Sequence, residues 1–189
     1  MSNSYDLTQL DSHTFEHMVN SLALTVLGKG VTGFAQGADG GRDGLLIGEA
    51  PYPSEADRWN GTWIIQSKFH KPHLTKDSQK WLISEVKKEI TAYLDPADSR
   101  EKPDIWIIAT NIEPSGTPAT GAYDAIKFLV DEAFGTGTKF DIWGGRKILD
   151  YLLQDTHVST YFGHFLTPGH VLSAMYQQIG DASAQIRPI

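Results

Sequence analysis

The chain is 189 residues long, 40% hydrophobic and 21% charged, and it contains no cysteine. That length is a prior for a single domain burying roughly 70% of its unfolded surface. The missing thiols exclude a disulfide framework, a cysteine nucleophile and any thiolate-built zinc or iron–sulfur centre. Twenty-three acidic against sixteen basic residues give a formal charge of −7, which argues against a protein that coats nucleic acid by bulk charge.

No apolar run approaches the roughly 20 residues of a membrane span. The opening Met1-Ser2-Asn3-Ser4-Tyr5-Asp6 is polar and acidic, unlike a secretory leader. A cytoplasmic protein without a membrane partner is the expectation. Charge is unevenly distributed: residues 58–102 are net basic, whereas 1–57 and 103–189 are net acidic. Lys68, Lys71, Lys76, Lys80, Lys87 and Lys88 crowd one stretch together with His70 and His73. Such a strip suits a phosphate backbone and equally suits a solvated helix face.

Asp11 and Ser12 are N-cap types, and Phe15, Val19, Leu22, Ala23 and Val26 follow at helical spacing until Gly28 and Gly30. Val31–Phe34 reads as a short strand, residues 37–44 as a glycine-dense turn, and Leu45–Ile47 and Thr62–Gln66 as strands. Ala50–Gly61, with Pro51, Pro53 and Asn60, is expected to be a loop or a strand-capping excursion. A helix is expected over Ser78–Leu94 with Trp81, Leu82, Val86 and Ile90 inward, then a polar connection over Pro96–Pro103. Asp104–Thr110 lacks polar alternation, as in a central strand covered on both faces. Asn111–Thr120 reads as a loop, Gly121–Phe134 as a helix, Phe140–Trp143 as a strand, and Arg146–Leu153 and Pro168–Ile179 as helices. Strands alternating with helices predict an α/β fold with a mixed sheet flanked by helices.

Two motifs are short enough to mislead. Gly28-Lys29-Gly30-Val31-Thr32-Gly33 matches G-x-G-x-x-G, but a dinucleotide site needs a strand before it and a helix after it, the reverse of the order here. His13-Thr14-Phe15-Glu16-His17 matches the H-x-x-E-H zinc-protease pattern. Two histidines at i and i+4 on one helical face can share a metal, yet no third ligand announces itself downstream.

A stronger constellation joins Glu16, Asp43, Gln66 and Lys68. Asp43 enters a strand from the glycine-rich turn, and Gln66 and Lys68, two apart on the next strand, project from one face. A carboxylate, an amide oxygen and an ammonium at a sheet edge suit a hard divalent cation and a water nucleophile. The same residues also fit plainer roles, Asp43 bracing a turn and Lys68 lying exposed at a strand end.

In order and spacing, Phe15-Glu16, then Gly37-Ala38-Asp39-Gly40-Gly41-Arg42-Asp43-Gly44, then Ile64-Ile65-Gln66-Ser67-Lys68 resemble the Mrr-like branch of the PD-(D/E)xK restriction-endonuclease superfamily. The stretches Pro103–Asn111 and Phe140–Trp143 with the helical C-terminal part resemble nuclease modules fused in front of STAND-type NTPases in bacterial anti-phage systems. The resemblance implies a restriction-endonuclease-like mixed sheet and Mg²⁺-dependent endonucleolytic hydrolysis of double-stranded DNA, with Mn²⁺ as a substitute metal. It makes Asp43 a metal-binding aspartate and Gln66 the replacement for the usual acidic ligand. Lys68 becomes the lysine that positions or activates water, and Glu16 a helix-borne acidic residue supporting the metal. Lys71, Lys76 and Lys80 with His70 and His73 follow directly and suit flanking phosphates.

No sequence-reading module is visible, so low sequence specificity is expected. No Walker G-x-x-x-x-G-K-[ST] occurs, so the NTPase implied by the resemblance lies outside this chain. Residues 1–180 are expected to form one nuclease-like domain, and 181–189 a linker to C-terminal domains whose assembly drives homo-oligomerisation. Two other classes compete: a non-catalytic DNA-binding or interaction domain that keeps the nuclease fold, and the zinc protease on His13 and His17.

Overall fold

The computed structural model describes residues 5–34, 42–98 and 100–185, except for the side chains at 170 and 180–185. Most of the glycine-dense turn lies outside these residues. Helix α1, Ser12–Val26, begins where the Asp11 carboxylate accepts the Thr14 amide at 2.7 Å, and it buries Phe15, Met18, Val19, Leu22 and Ala23. Gly28, just past the C-cap Leu27, takes φ +112°, a conformation cheap only for glycine. The G-x-G-x-x-G glycines therefore begin by ending a helix.

Strands β1 (Thr32–Gly33), β2 (Gly44–Pro53), β3 (Arg58–Lys68), β4 (Ile105–Thr110) and β5 (Lys139–Trp143) form one sheet in that spatial order. β1, β2 and β3 pair antiparallel, and β3, β4 and β5 pair parallel. Helices α2 (Ser78–Leu94) and α3 (Ala122–Phe134) supply the two parallel crossovers. They cover the face bearing Ile64, Trp106 and Ile108. α1, α4 (Gly145–Gln154) and α5 (Thr156–Leu166) cover the face bearing Trp63, Ile65, Ile105 and Ile107. The expected α/β architecture, a mixed sheet flanked by helices, is what forms. All six residues of β4 are buried, as its unbroken apolar run requires.

The expected loop over Ala50–Gly61 is instead the distal part of a hairpin, with Ala50 opposite Trp59 and Pro53 opposite Arg58 across an irregularity. Pro51 and Pro53 read as breakers, but among the described residues the other edge of β2 is paired only at Gly44 and Leu45, and an open edge needs no proline donor. Tyr52, 3% exposed, anchors the hairpin. Its hydroxyl donates to the Asp141 carboxylate and accepts from Trp143 Nε1 at 3.0 Å and Lys147 Nζ at 2.7 Å.

Helix α5 is an element that the sequence patterns above do not assign. Asp155 starts it by accepting the amides of His157 and Val158, both at 2.9 Å. The last helix, α6, spans Gly169–Gln185, one residue later than expected at its start and six residues later at its end, so 181–185 are helical. Among the described residues no helix is long and apolar enough to cross a membrane.

Candidate active site

The end of β3 and the beginning of β2 meet at one end of the sheet, Gly44 lying opposite Ile65. Asp43, one residue before β2, is locked there by its backbone. Its amide donates to the Ile65 carbonyl at 3.1 Å, and its carbonyl accepts from the Phe34 amide and Asn20 Nδ2, both at 3.0 Å. Its carboxylate accepts the amide of Ser67, so it rests on the backbone between Gln66 and Lys68. Glycine at 44 permits this close approach, since a Cβ there would stand 2.9 Å from Asn20 Oδ1 and 3.2 Å from the Ile65 side chain.

Gln66 and Lys68 project from one face, as their spacing requires, and they meet on a residue absent from the expected constellation. Glu89 of α2 takes the Lys68 ammonium on one carboxylate oxygen and Gln66 Nε2 on the other at 3.0 Å. Arg100 Nη1 reaches that second oxygen at 3.0 Å, and Arg100 Nη2 pairs with Asp98 at 2.8 Å. Burial pushes the Glu89 carboxyl up. The hydrogen bond and charge of Lys68, with Gln66 and Arg100, outweigh it and hold the carboxyl below its ordinary value. Burial also pushes Tyr93, one turn further along α2, up to about 12, and its hydroxyl is buried without a hydrogen-bond partner among the described residues. The sequence carries one signal for Glu89: it interrupts the inward stripe of α2, between Val86 and Tyr93 at spacings of three and four.

Gln66 is 1% exposed, and its amide oxygen accepts from Trp106 Nε1 at 2.7 Å. An indole N–H can only donate, so the oxygen of Gln66 must face Trp106 and its nitrogen Glu89. A carboxylate at 66 would face the carboxylate of Glu89, whereas an amide supplies the donor that Glu89 needs.

Glu16 lies half-buried on α1, one turn before the Asn20 that reaches Asp43. Lys68 pairs with Glu89 rather than with Glu16. Lys71, His73 and Lys76 are exposed beyond β3, and Lys80 is exposed on the first turn of α2 with Asp77 at 3.2 Å. His70 departs from the expected phosphate-binding role. It is 5% exposed, its amide donates to Asn111 Oδ1 at 2.7 Å, and its Nε2 lies 2.8 Å from Thr75 Oγ1. Its ring packs 5.0 Å from Trp81, so it pins the loop between β3 and α2 instead of facing solvent.

Comparison with family models, curated proteins and solved structures finds no match. What the site can do therefore follows from its own residues.

A Mg²⁺-type cation takes one or two carboxylates and completes its octahedron with water and substrate phosphate. Asp43 fits that demand as a hard oxygen donor fixed at a strand end. Gln66, expected to be a ligand through its amide oxygen, accepts from Trp106 Nε1 on that oxygen, so a cation there would take its second lone pair. No group of three His, Asp or Glu side chains able to hold a metal gathers among the described residues. His13 and His17 are exposed, and the His17 ring stands edge-on to Phe162 at 5.6 Å.

Proposed function

We propose that this chain is a Mg²⁺-dependent endonuclease domain of the Mrr-like PD-(D/E)xK type, cutting double-stranded DNA with low sequence specificity. The observation that carries the reading is the placement of the Asp43 carboxylate on the Ser67 amide, directly between Gln66 and Lys68. Asp43, with Glu16 as the helix-borne carboxylate, would hold the cation, and Mn²⁺ would substitute. When bound, Mg²⁺ polarises the phosphate and lowers the pKa of its water.

The chain's own groups supply the remainder. Lys68 places an ammonium where negative charge grows on the phosphodiester oxygens, and that charge stabilisation acts in the transition state. Glu89 fixes where the ammonium sits, and Gln66 fixes Glu89. Lys71, His73, Lys76 and Lys80 hold flanking phosphates and set the register of the duplex without reading its sequence. In the wider proposal the domain is a cytoplasmic effector of anti-phage defence, set off when neighbouring domains assemble it into a homo-oligomer.

A second reading, a nuclease fold that binds DNA without cutting it, is favoured by the engagement of Gln66 with Trp106 and of both Glu89 oxygens with donors. One experiment separates the two. Supercoiled plasmid is incubated with the protein at low salt, with Mg²⁺ or with EDTA. Nicking or linearisation with Mg²⁺ alone supports the nuclease. Equal cleavage in EDTA removes the metal from the mechanism. Gel retardation without cleavage, even after forced dimerisation, establishes the binding module.

A further inference from the structure

Helix α6 stands off the body of the fold. Every residue from Leu172 to Ile179 is exposed, including four large apolar side chains: Leu172 at 37%, Met175 at 53%, Tyr176 at 75% and Ile179 at 61%. Their spacing of three, one and three places them on one stripe of a 17-residue helix. A helix of that length without tertiary packing is marginal in water. The segment also contains Gly180, Ser173 and Ser183, which weaken helix propensity further. A covered stripe is what would hold it helical.

Within residues 1–189, the short stretches outside the described residues offer little apolar cover. The stretches 1–4, 35–41 and 186–189 contain only Met1, Ile186 and Ile189 as large apolar residues. Charge selects among outside partners. No lysine or arginine occurs from 148 to 186, while Asp150, Asp155 and Asp181 do. Nucleic acid and anionic membranes both need basic residues where they touch a protein, so neither suits this surface. A neutral stripe opposes no copy of itself.

We infer that α6 is a homodimerisation element, pairing antiparallel with α6 of a second copy of this chain through Leu172, Met175, Tyr176 and Ile179. The spacing is palindromic. A two-fold axis between Met175 and Tyr176 sets Leu172 against the partner's Ile179 and Met175 against the partner's Tyr176, the self-complementary arrangement an isologous dimer requires. Taking ~200 Å² for each large side chain, the exposed fractions amount to roughly 900 Å² for the pair, the size of a weak, reversible interface. The inference stands independently of whether the Asp43–Lys68 end cuts DNA.

The absence of native cysteine makes the test clean. In sedimentation velocity from nanomolar to high micromolar protein, the full chain should pass from monomer to dimer. Replacing Leu172, Tyr176 and Ile179 together by aspartate should weaken that association at least about a hundredfold. Because the triple variant can act by melting α6, a second measurement fixes the geometry. Leu172→Cys with Ile179→Cys should form a reducible covalent dimer on mild oxidation, whereas either substitution alone should not. Seven residues of helix separate these positions by ~10 Å, too far for a bridge within one chain. A wild-type chain that stays monomeric, an aspartate variant that dimerises normally, or a covalent dimer from Leu172→Cys alone would each overturn the inference. Binding of the monomer to anionic vesicles without dimerisation would assign the stripe to a membrane surface instead.

Discussion

The carboxylate of Glu89 on α2 closes on the ammonium of Lys68 on β3, with the two side chains only 16% and 15% exposed. One element of the crossover thereby sets the charge of the strand it follows. Lys68 reaches the sheet end already compensated, and its position is decided by a residue twenty-one positions further along the chain.

Under the proposed function this pairing gives Lys68 two separable roles. Lys68→Ala should abolish Mg²⁺-dependent plasmid cleavage and also lower stability by about 1–3 kcal/mol, because a largely buried carboxylate loses its nearest cation while Arg100 and Gln66 remain. Lys68→Met combined with Glu89→Gln removes both charges and should recover most of that stability in urea unfolding. Cleavage should stay absent. Recovery of cleavage along with stability would show that Lys68 serves the fold and not the chemistry.

Gln66 is the amide that lets Trp106 and Glu89 coexist. Gln66→Glu would bring two carboxylates within hydrogen-bond distance in a buried place. It should cost about 1–3 kcal/mol as one of them takes up a proton or loses its partner. The exchange Gln66→Glu with Glu89→Gln keeps one acceptor for the Trp106 indole and one amide donor between the strand and the helix, and thermal unfolding should recover only part of the loss, because Arg100 Nη1 then faces that amide donor. A single Gln66→Glu substitution without a stability penalty would contradict the hydrogen-bond assignment.

Legibility in the sequence follows the reach of each signal. The buried run Ile105-Trp106-Ile107-Ile108 and the capped α1 are readable because period and caps are local. So is the shared face of Gln66 and Lys68, which follows from strand alternation alone. The hairpin through Tyr52 is hidden because its prolines tolerate an open edge and its anchor is a hydroxyl bound to Asp141, Trp143 and Lys147 from distant segments. α5 escapes notice although Asp155 caps it and Val158, Phe162 and Leu166 recur every four residues. Glu89 is visible only as an acid in an apolar stripe, and its partner is defined only once α2 has packed on β3. His70 misleads because a histidine among lysines reads as surface. Asn111, which holds it inside, comes from the far end of β4.

Acid should open the same cluster. The Glu89 carboxyl titrates below its ordinary value in the folded protein, so its ion pairs stabilise the fold fully above the unfolded carboxylate range, near pH 4.5. That contribution is lost as pH falls through the lower folded value. Midpoints of urea unfolding should fall as pH drops through this window. In Glu89→Gln the fall should be shallower, and the difference between the two proteins should vanish at the acid end. A parallel pH dependence of wild type and Glu89→Gln would place the acid sensitivity elsewhere, for example on Asp98, whose carboxyl the Arg100 hydrogen bonds also hold low.

The basic stretch after β3 divides into surface and interior, and the two parts should respond differently. Lys71, Lys76 and Lys80 are exposed, so each can release a counterion when it meets a phosphate. Replacing all three by alanine should lower the slope of log affinity against log salt by about 0.9 for each phosphate left without its lysine. Cleavage at saturating DNA should persist, since these side chains lie outside the group of Asp43, Gln66 and Lys68. His70→Ala should do the reverse. It empties a place beside Trp81 and leaves the Thr75 hydroxyl without its ring partner, so it should reduce stability by about 1–3 kcal/mol while leaving the salt slope unchanged. His13→Ala and His17→Ala, changed at exposed positions of α1, should alter neither cleavage nor slope. Loss of activity in a histidine variant, where the wild type binds stoichiometric zinc, together with retention in Lys68→Ala, would move the chemistry from the sheet end to the first helix.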